Sequence, residues 1–181
     1  MKLDTITKKQ DEYFTPTYAV KPILEYVSLG STVWCPFDTE ESLFVKMFIS
    51  KGCKVINTHI SNQEDFFELD IDCDYIISNP PYSLKAEVFE RLFNLKKPFA
   101  MLVGVVGLFE SQKRFDIFSK HKFEIMYFNR RVSYFKSYKD AKPKLNPPFS
   151  SVYLTSKMLP KTIIFKEIDK RLLGEHETNQ P

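Results

Sequence analysis

Ile76-Ile77-Ser78-Asn79-Pro80-Pro81-Tyr82 is the stretch from which the rest of this chain can be read. Two branched apolar residues and a serine read as the end of a buried strand, so Asn79 and its successors stand at a strand exit. A residue before proline is pushed out of the helical region into an extended conformation, and this applies to both Asn79 and Pro80. Neither proline has an N–H, so no neighbouring donor competes for the local carbonyls. The side-chain oxygen of Asn79 and the carbonyl of Pro80 then offer two acceptors side by side. Two acceptors match the two hydrogens of an exocyclic NH2 on a planar ring. Tyr82 supplies a ring for a base to stack on, worth about 1–3 kcal/mol per base.

The amine of adenine or cytosine is a poor nucleophile, because its lone pair is delocalised into the ring. Acceptors that grip its hydrogens favour a more tetrahedral nitrogen and free that lone pair. As a methyl group arrives, positive charge grows on nitrogen, and preorganised acceptors stabilise it more in the transition state than in the ground state. Asn79, Pro80, Pro81 and Tyr82 are therefore the candidate catalytic residues. The bland alternative is a Pro-Pro turn closing a strand. The chain holds a near-copy, Asn146-Pro147-Pro148-Phe149, after a lysine-rich loop and before a strand. Open α/β sheets keep their ligand crevice at strand exits, so this second copy reads as a loop element at a strand entrance.

Working outward, Thr15-Pro16 starts a helical pattern to about Val27, with Thr15 as cap and Pro16 first in the helix. Ser31–Phe37 reads as a strand, Thr39–Ser50 as a helix stopped by Gly52, and Lys54–Ile60 as a second strand. Tyr75–Ser78 feeds the motif. Leu84–Leu95 comes next as a helix, Phe99–Leu108 as a long buried strand, and Gln112–Lys120 as a helix. Phe123–Tyr134 and Ser150–Ser156 read as a closing antiparallel pair, and Ile163–Leu173 as a final helix or strand. Alternating helices and near-continuous apolar strands imply an α/β fold: a doubly wound, Rossmann-like sheet, mostly parallel, with a terminal antiparallel hairpin. One domain spans residues 1–181, with 1–12 and 174–181 flexible.

The 181 residues suffice for one core, and 43% hydrophobic content marks a globular chain. No apolar run approaches the ~20 residues of a membrane helix, and MKLDTITKKQ lacks an apolar signal core, so a cytoplasmic protein is expected. Cys35, Cys53 and Cys73 lack paired metal spacing and read as reduced thiols, with no metal expected. The formal charge of +3 is unevenly spread, at −5 over residues 1–110 and +8 over 111–181. Within the basic half, Asn129–Lys144 carries six positive residues and one negative. Arg130, Arg131, Lys136, Lys139, Lys142 and Lys144, with Tyr134 and Tyr138 interleaved, make residues 130–148 the candidate nucleic-acid contact. A merely solvated loop is the alternative.

The turn after the first strand usually cradles a nucleotide cofactor. Here it is Cys35-Pro36-Phe37-Asp38-Thr39-Glu40-Glu41-Ser42, with no glycine. Asp38 or Thr39 can cap the helix it opens. A pyrophosphate needs bare N–H groups and no competing carboxylates, so this turn argues against a dinucleotide. S-adenosylmethionine has no phosphate but has an ammonium, a sulfonium and ribose hydroxyls, all compatible with acids. Asp65-Phe66, between the second strand and the motif strand, could contact an adenine or could be an acidic loop with its aromatics turned inward.

Taken together, these residues resemble the small phage-type DNA adenine-N6 methyltransferases, over roughly residues 12–157. Asn79-Pro80-Pro81-Tyr82 matches that family's catalytic motif. Phe14-Thr15-Pro16 resembles the segment that holds the methionine end of S-adenosylmethionine. Pro36-Phe37 resembles the first-strand motif, and Asp65-Phe66 the adenine-binding pair. The chain departs from the pattern at Cys35, at the glycine-free turn, and at the second strand's end. There the usual ribose-binding acid is replaced, with His59 or Asn62 as substitutes. The resemblance implies methyl transfer to the N6 amine of adenine in DNA, flipped from a duplex or single-stranded. The residues leave open an RNA base, a protein glutamine amide, or a cofactor-binding relative without catalysis.

Overall fold

The computed structural model describes residues 13–171. Among them, four helices and seven strands run in the order α1 (Thr17–Leu24), β1 (Thr32–Cys35), α2 (Leu43–Ser50), β2 (Lys54–Asn57), β3 (Tyr75–Ser78), α3 (Lys85–Leu95), β4 (Phe99–Gly104), α4 (Gln112–Phe118), β5 (Glu124–Phe128), β6 (Ser151–Ser156) and β7 (Ile163–Lys166). All seven strands join one sheet, ordered β2-β1-β3-β4-β6-β5-β7. Strands β1 to β4 are mutually parallel. Only β6 runs the other way, antiparallel to both β4 and β5. β7 then adds to the outer edge, parallel to β5. The doubly wound, mostly parallel sheet with an antiparallel pair is thus present, and the last segment is a strand. Leu172 and Leu173, the end of that segment, lie outside the described residues.

Period-two alternation sends each strand's side chains to two cores. Val33, Cys35, Ile77, Ala100 and Tyr153 meet α1 and α2 on one face. Trp34, Ile76, Met101, Val103 and Leu154 meet α3 and α4 on the other. This double burial is why β3, β4 and β6 read as continuous apolar runs rather than as alternating patterns.

The chain leaves β1 toward β2 on one side and returns through β3 toward β4 on the other. The strand order therefore reverses between β1 and β3, and a crevice opens at their carboxyl ends. The turn carrying Asp38 and the turn carrying Asn79 stand at that crevice. Antiparallel β6 starts on the same rim, because Ser151 pairs with Gly104 at the end of β4.

Several boundaries differ from expectation. Pro16 itself takes the cap position of α1, with extended backbone and no side-chain cap. Helix α2 begins at Leu43 and is capped by Ser42, whose Oγ accepts from the Phe44 N–H; neither Asp38 nor Thr39 is the cap. β4 stops at Gly104, and β5 stops at Phe128. The chain beyond β5 leaves the sheet and crosses this rim, with bridges Phe14–Phe135 and Tyr134–Leu145. No described helix is long and apolar enough to cross a membrane. The three cysteines are buried and free.

Candidate active site

One pocket at the rim joins the two turns. Phe14 and Thr15 precede α1; Phe37, Asp38 and Thr39 follow β1; His59 and Ile60 follow β2; Asn79, Pro80 and Pro81 follow β3. Tyr13, Ser42 and Tyr138 complete the wall. The glycine-free turn is held from the side by β2's exit. Asp38 N–H donates to the Thr58 carbonyl, and Thr58 N–H donates to the Cys35 carbonyl. Trp34 Nε1 donates to Thr58 Oγ1 at 2.9 Å.

Asp38 is buried and its carboxylate accepts from two hydroxyls, Ser42 on the turn before α2 and Ser78 at the end of β3. Burial pushes its carboxyl up to about 6, against the downward pull of those hydroxyls and of His59. Asp38 thus ties the first turn to the residue immediately before Asn79.

Asn79 is fixed in one orientation. Its Nδ2 donates to the Tyr13 carbonyl at 2.8 Å and to Thr15 Oγ1 at 3.3 Å. The Tyr13 carbonyl can only accept, which assigns Oδ1 to the opposite side of the amide. That Oδ1 is buried and makes no hydrogen bond. A buried acceptor without a donor costs about 1–3 kcal/mol, which is tolerable where a ligand supplies the donor.

Tyr82 lies just beyond the pocket wall within an aromatic cluster. Tyr13 stacks on it at 4.9 Å between centroids, and Phe149 meets it edge-on at 5.5 Å. Its hydroxyl donates to Tyr134 Oη at 3.3 Å, and the Lys85 ammonium sits 5.1 Å from its ring centre. Lys85 also donates to the Gly104 and Val106 carbonyls, binding the β4 exit to the motif.

Of the expected cofactor residues, the pocket gathers Phe14, Thr15, Phe37, Asp38, Thr39 and His59. Pro16 and Pro36 are buried behind it. His59 faces the pocket and also caps a short turn, its Nδ1 accepting from Ser61 N–H at 3.1 Å. Asp65 and Phe66 do not reach the wall. Phe66 is fully buried against Trp34, Phe37 and the Arg91 guanidinium. Asp65 accepts from the Phe67 N–H and shapes its own turn. Ile60 supplies apolar wall on that side, unforeseen because nothing local separates it from a strand residue. Sequence reasoning also misses Tyr13, Ser42 and Ser78, since their roles depend on contacts across the sheet.

The basic segment divides. Arg130, Arg131, Lys136, Lys139, Lys142 and Lys144 are exposed or partly exposed. Tyr134 is fully buried, its hydroxyl 2.7 Å from Ser151 Oγ. Tyr138 turns into the pocket, stacks edge-on to Phe14 at 5.0 Å, and donates to the Thr15 carbonyl. Tyr134 is therefore no surface platform for bases, and the half-buried Tyr138 belongs to the pocket wall. The cause is the chain's return over the rim, which turns the aromatics of the loop inward and its cations outward.

Chemically, the wall offers a carboxylate, an unpartnered amide oxygen, and apolar rings. No lysine or arginine is among the described residues that line it. It suits a phosphate-free ligand with donors or positive charge. Among the described residues no group of three or more His, Cys, Asp or Glu is placed to hold a metal ion.

No protein-family model matches the chain, and no curated protein matches it. Among solved structures, it is similar to a modification subunit assigned to a type I restriction enzyme from Vibrio vulnificus YJ016, with a TM-score of 0.50 at 16% identity. The match covers 86% of this chain and 47% of that one, so this chain spans about half that subunit's length. A precorrin-6y C5,15-methyltransferase from Geobacter metallireducens GS-15 aligns with a TM-score of 0.46 at 11% identity, over 81% of this chain and 93% of that one. The second value is too low for a shared fold to be drawn from it. At 16% identity the first likeness concerns the fold alone.

Proposed function

We propose that the chain is an S-adenosylmethionine-dependent methyltransferase acting on the exocyclic N6 amine of adenine in DNA. The observation that carries this reading is the buried, unpartnered Oδ1 of Asn79 at the sheet's switch point, beside a carboxylate-bearing pocket. Asn79 Oδ1 and the Pro80 carbonyl accept from the target NH2 and stabilise charge as it grows on nitrogen. Thr15 and the Tyr13 carbonyl hold the Asn79 amide so that its oxygen, not its NH2, meets the amine. A base reaches the face of Tyr82 by displacing Tyr13, whose ring now stacks there.

The pocket residues fit the cofactor. Asp38 suits a cationic ligand, Phe14, Phe37 and Ile60 suit a planar ring, and His59 suits a ribose hydroxyl. When bound, S-adenosylmethionine would supply the methyl group to the amine lone pair, the S–CH3 electron pair staying on the departing thioether and the nitrogen's proton passing to solvent. Arg130, Arg131, Lys136, Lys139, Lys142 and Lys144 hold the DNA phosphates on the same rim. The choice of DNA over RNA, and of adenine over cytosine, rests on the sequence resemblance.

Labelled methyl transfer to adenine-containing DNA, to RNA and to cell extract tests the reading. N6-methyladenine in DNA is the expected product. Label entering only RNA or only a protein glutamine would replace the substrate. Absence of transfer with measurable cofactor binding would make the chain a binding protein.

A further inference from the structure

The pocket wall is unusual in its charge. A buried carboxylate at a ligand site is costly unless something positive meets it. The Asp38 carboxylate has hydroxyl partners, Ser42 and Ser78, and no described lysine or arginine shares the wall. Around it stand the Cys35 thiol and the Tyr138 and Tyr153 phenols, each kept neutral because burial pushes it up. The His59 imidazole, after β2, also lines the described wall. The carboxylate is therefore stored in the wall without a compensating lysine or arginine.

We infer that Asp38 makes this pocket a charge selector, which holds the cationic methyl donor and discriminates against the neutral product left when the methyl group has gone. The inference rests on the methyl-donor reading above and extends it to how the site turns over. S-adenosylmethionine and S-adenosylhomocysteine differ by one methyl group and one positive charge. A wall that is blind to charge would bind them alike, and the product would block the site. A wall with a carboxylate and no lysine or arginine favours the donor and lets the product go. The same carboxylate explains the missing glycines. A phosphate cradle would need bare N–H groups here, whereas this turn commits its Asp38 N–H to Thr58. Protonation erases the selectivity, and with the Asp38 carboxyl at about 6 that loss falls within an accessible range.

Calorimetric titration of the whole chain with S-adenosylmethionine, S-adenosylhomocysteine and sinefungin tests this. Sinefungin carries an ammonium-bearing carbon in place of the methylated sulfur. At pH 8 the two cations should bind at least about tenfold tighter than the neutral thioether, a modest factor for a charge pair out of bulk water. At pH 5 the ratio should fall toward one. Asp38→Asn should show the low ratio at pH 8, with its fold checked by circular dichroism. The wild-type pH series stands without any variant. His59→Gln should keep the pH dependence; a ratio that no longer varied with pH in that variant would overturn the assignment to Asp38. Equal affinity for all three ligands at pH 8 would overturn the charge selector while leaving the donor reading intact. No binding of any of the three would overturn both.

Discussion

The chain carries the tetrapeptide Asn-Pro-Pro-aromatic twice, and the two copies end on the same rim of the sheet in opposite roles. Asn79 follows a parallel strand, and Asn146 precedes the antiparallel strand β6, so one copy is an exit and the other an entrance. Because β6 is reversed, its entrance lies beside the exits of β3 and β4. The amides differ in what they are bonded to. Asn79 gives its NH2 to the Tyr13 carbonyl and Thr15 and keeps a buried, unpartnered oxygen. Asn146 accepts from the Ser133 hydroxyl through its oxygen, and its NH2 donates to the Lys144 carbonyl. One copy presents an acceptor, and the other has used its own. The aromatic of the second copy is not idle, since Phe149 packs against Tyr82 and Tyr13. The same four-residue pattern therefore leaves an unpartnered acceptor in one place and packs an aromatic wall beside it in the other.

The sharpest way to break this contrast is to remove each amide. Asn79→Ala should lower methyl transfer by about 10²–10³, the usual loss for one preorganised transition-state contact, with cofactor affinity within a few-fold. Asn146→Ala should leave transfer within a few-fold. A comparable loss in both variants, read in the same labelled-transfer assay, would show that the two copies share one role.

Next in size is the basic segment that leads from β5 to the second copy. Neutralising Arg130, Arg131, Lys136 and Lys139 together should weaken DNA binding at least about tenfold at physiological salt. It should also lower the slope of log affinity against log salt by about 3–4, close to one counterion per phosphate contact. Tyr134→Phe should leave that slope unchanged, because its ring is fully buried. An unaltered slope after the fourfold change would reduce the segment to a solvated loop.

The support role of the second copy can be tested by crowding it. A methyl group on Gly104 would lie 2.6 Å from the Phe149 ring. Gly104→Ala should therefore cost about 1–3 kcal/mol of stability, the usual penalty for overpacking. Adding Phe149→Leu should return part of that loss, which a thermodynamic cycle from chemical denaturation would read as a coupling. Additive effects would separate Phe149 from the rim.

How much of the molecule is legible in its sequence depends on the range of the interactions. The strand Tyr75–Ser78 reads with its observed limits, because an apolar run ended by Asn-Pro-Pro is local information. The sheet class is legible for the same reason. Pocket residues next to strand exits, such as Asp38 and Asn79, are legible too. Tyr134 and Tyr138 mislead, because their direction is set by contacts with Leu145 and Phe14 that no local pattern announces. Phe66 misleads because an Asp-Phe pair looks the same whether its ring faces a ligand or packs on Trp34 and Phe37. The link from Ser78 to Asp38 spans 40 residues and has no sequence signal at all.

That link carries the smallest expected effect. Asp38 has its carboxyl raised from 3.8 to about 6. A carboxyl raised on folding gives its full stabilising contribution only below about pH 4, and the contribution is lost as pH rises through 6. At neutral pH a charged Asp38 thus weighs against the ligand-free fold, by about 3 kcal/mol for two units at 1.36 kcal/mol each. Asp38→Asn removes that burden but gives up about one of the serine hydrogen bonds, worth roughly 1–2 kcal/mol to a charged acceptor. The variant should therefore be about 1–2 kcal/mol more stable than the wild type at pH 7.5. The difference should shrink below pH 6, vanish near pH 5 and reverse by pH 4, where the variant should be less stable by about 1 kcal/mol. Urea denaturation across that range reads it directly. A variant less stable at every pH would mean that the carboxylate serves the fold rather than a cationic ligand, and the rim around Asn79 would then carry no stored charge to set it apart from its copy.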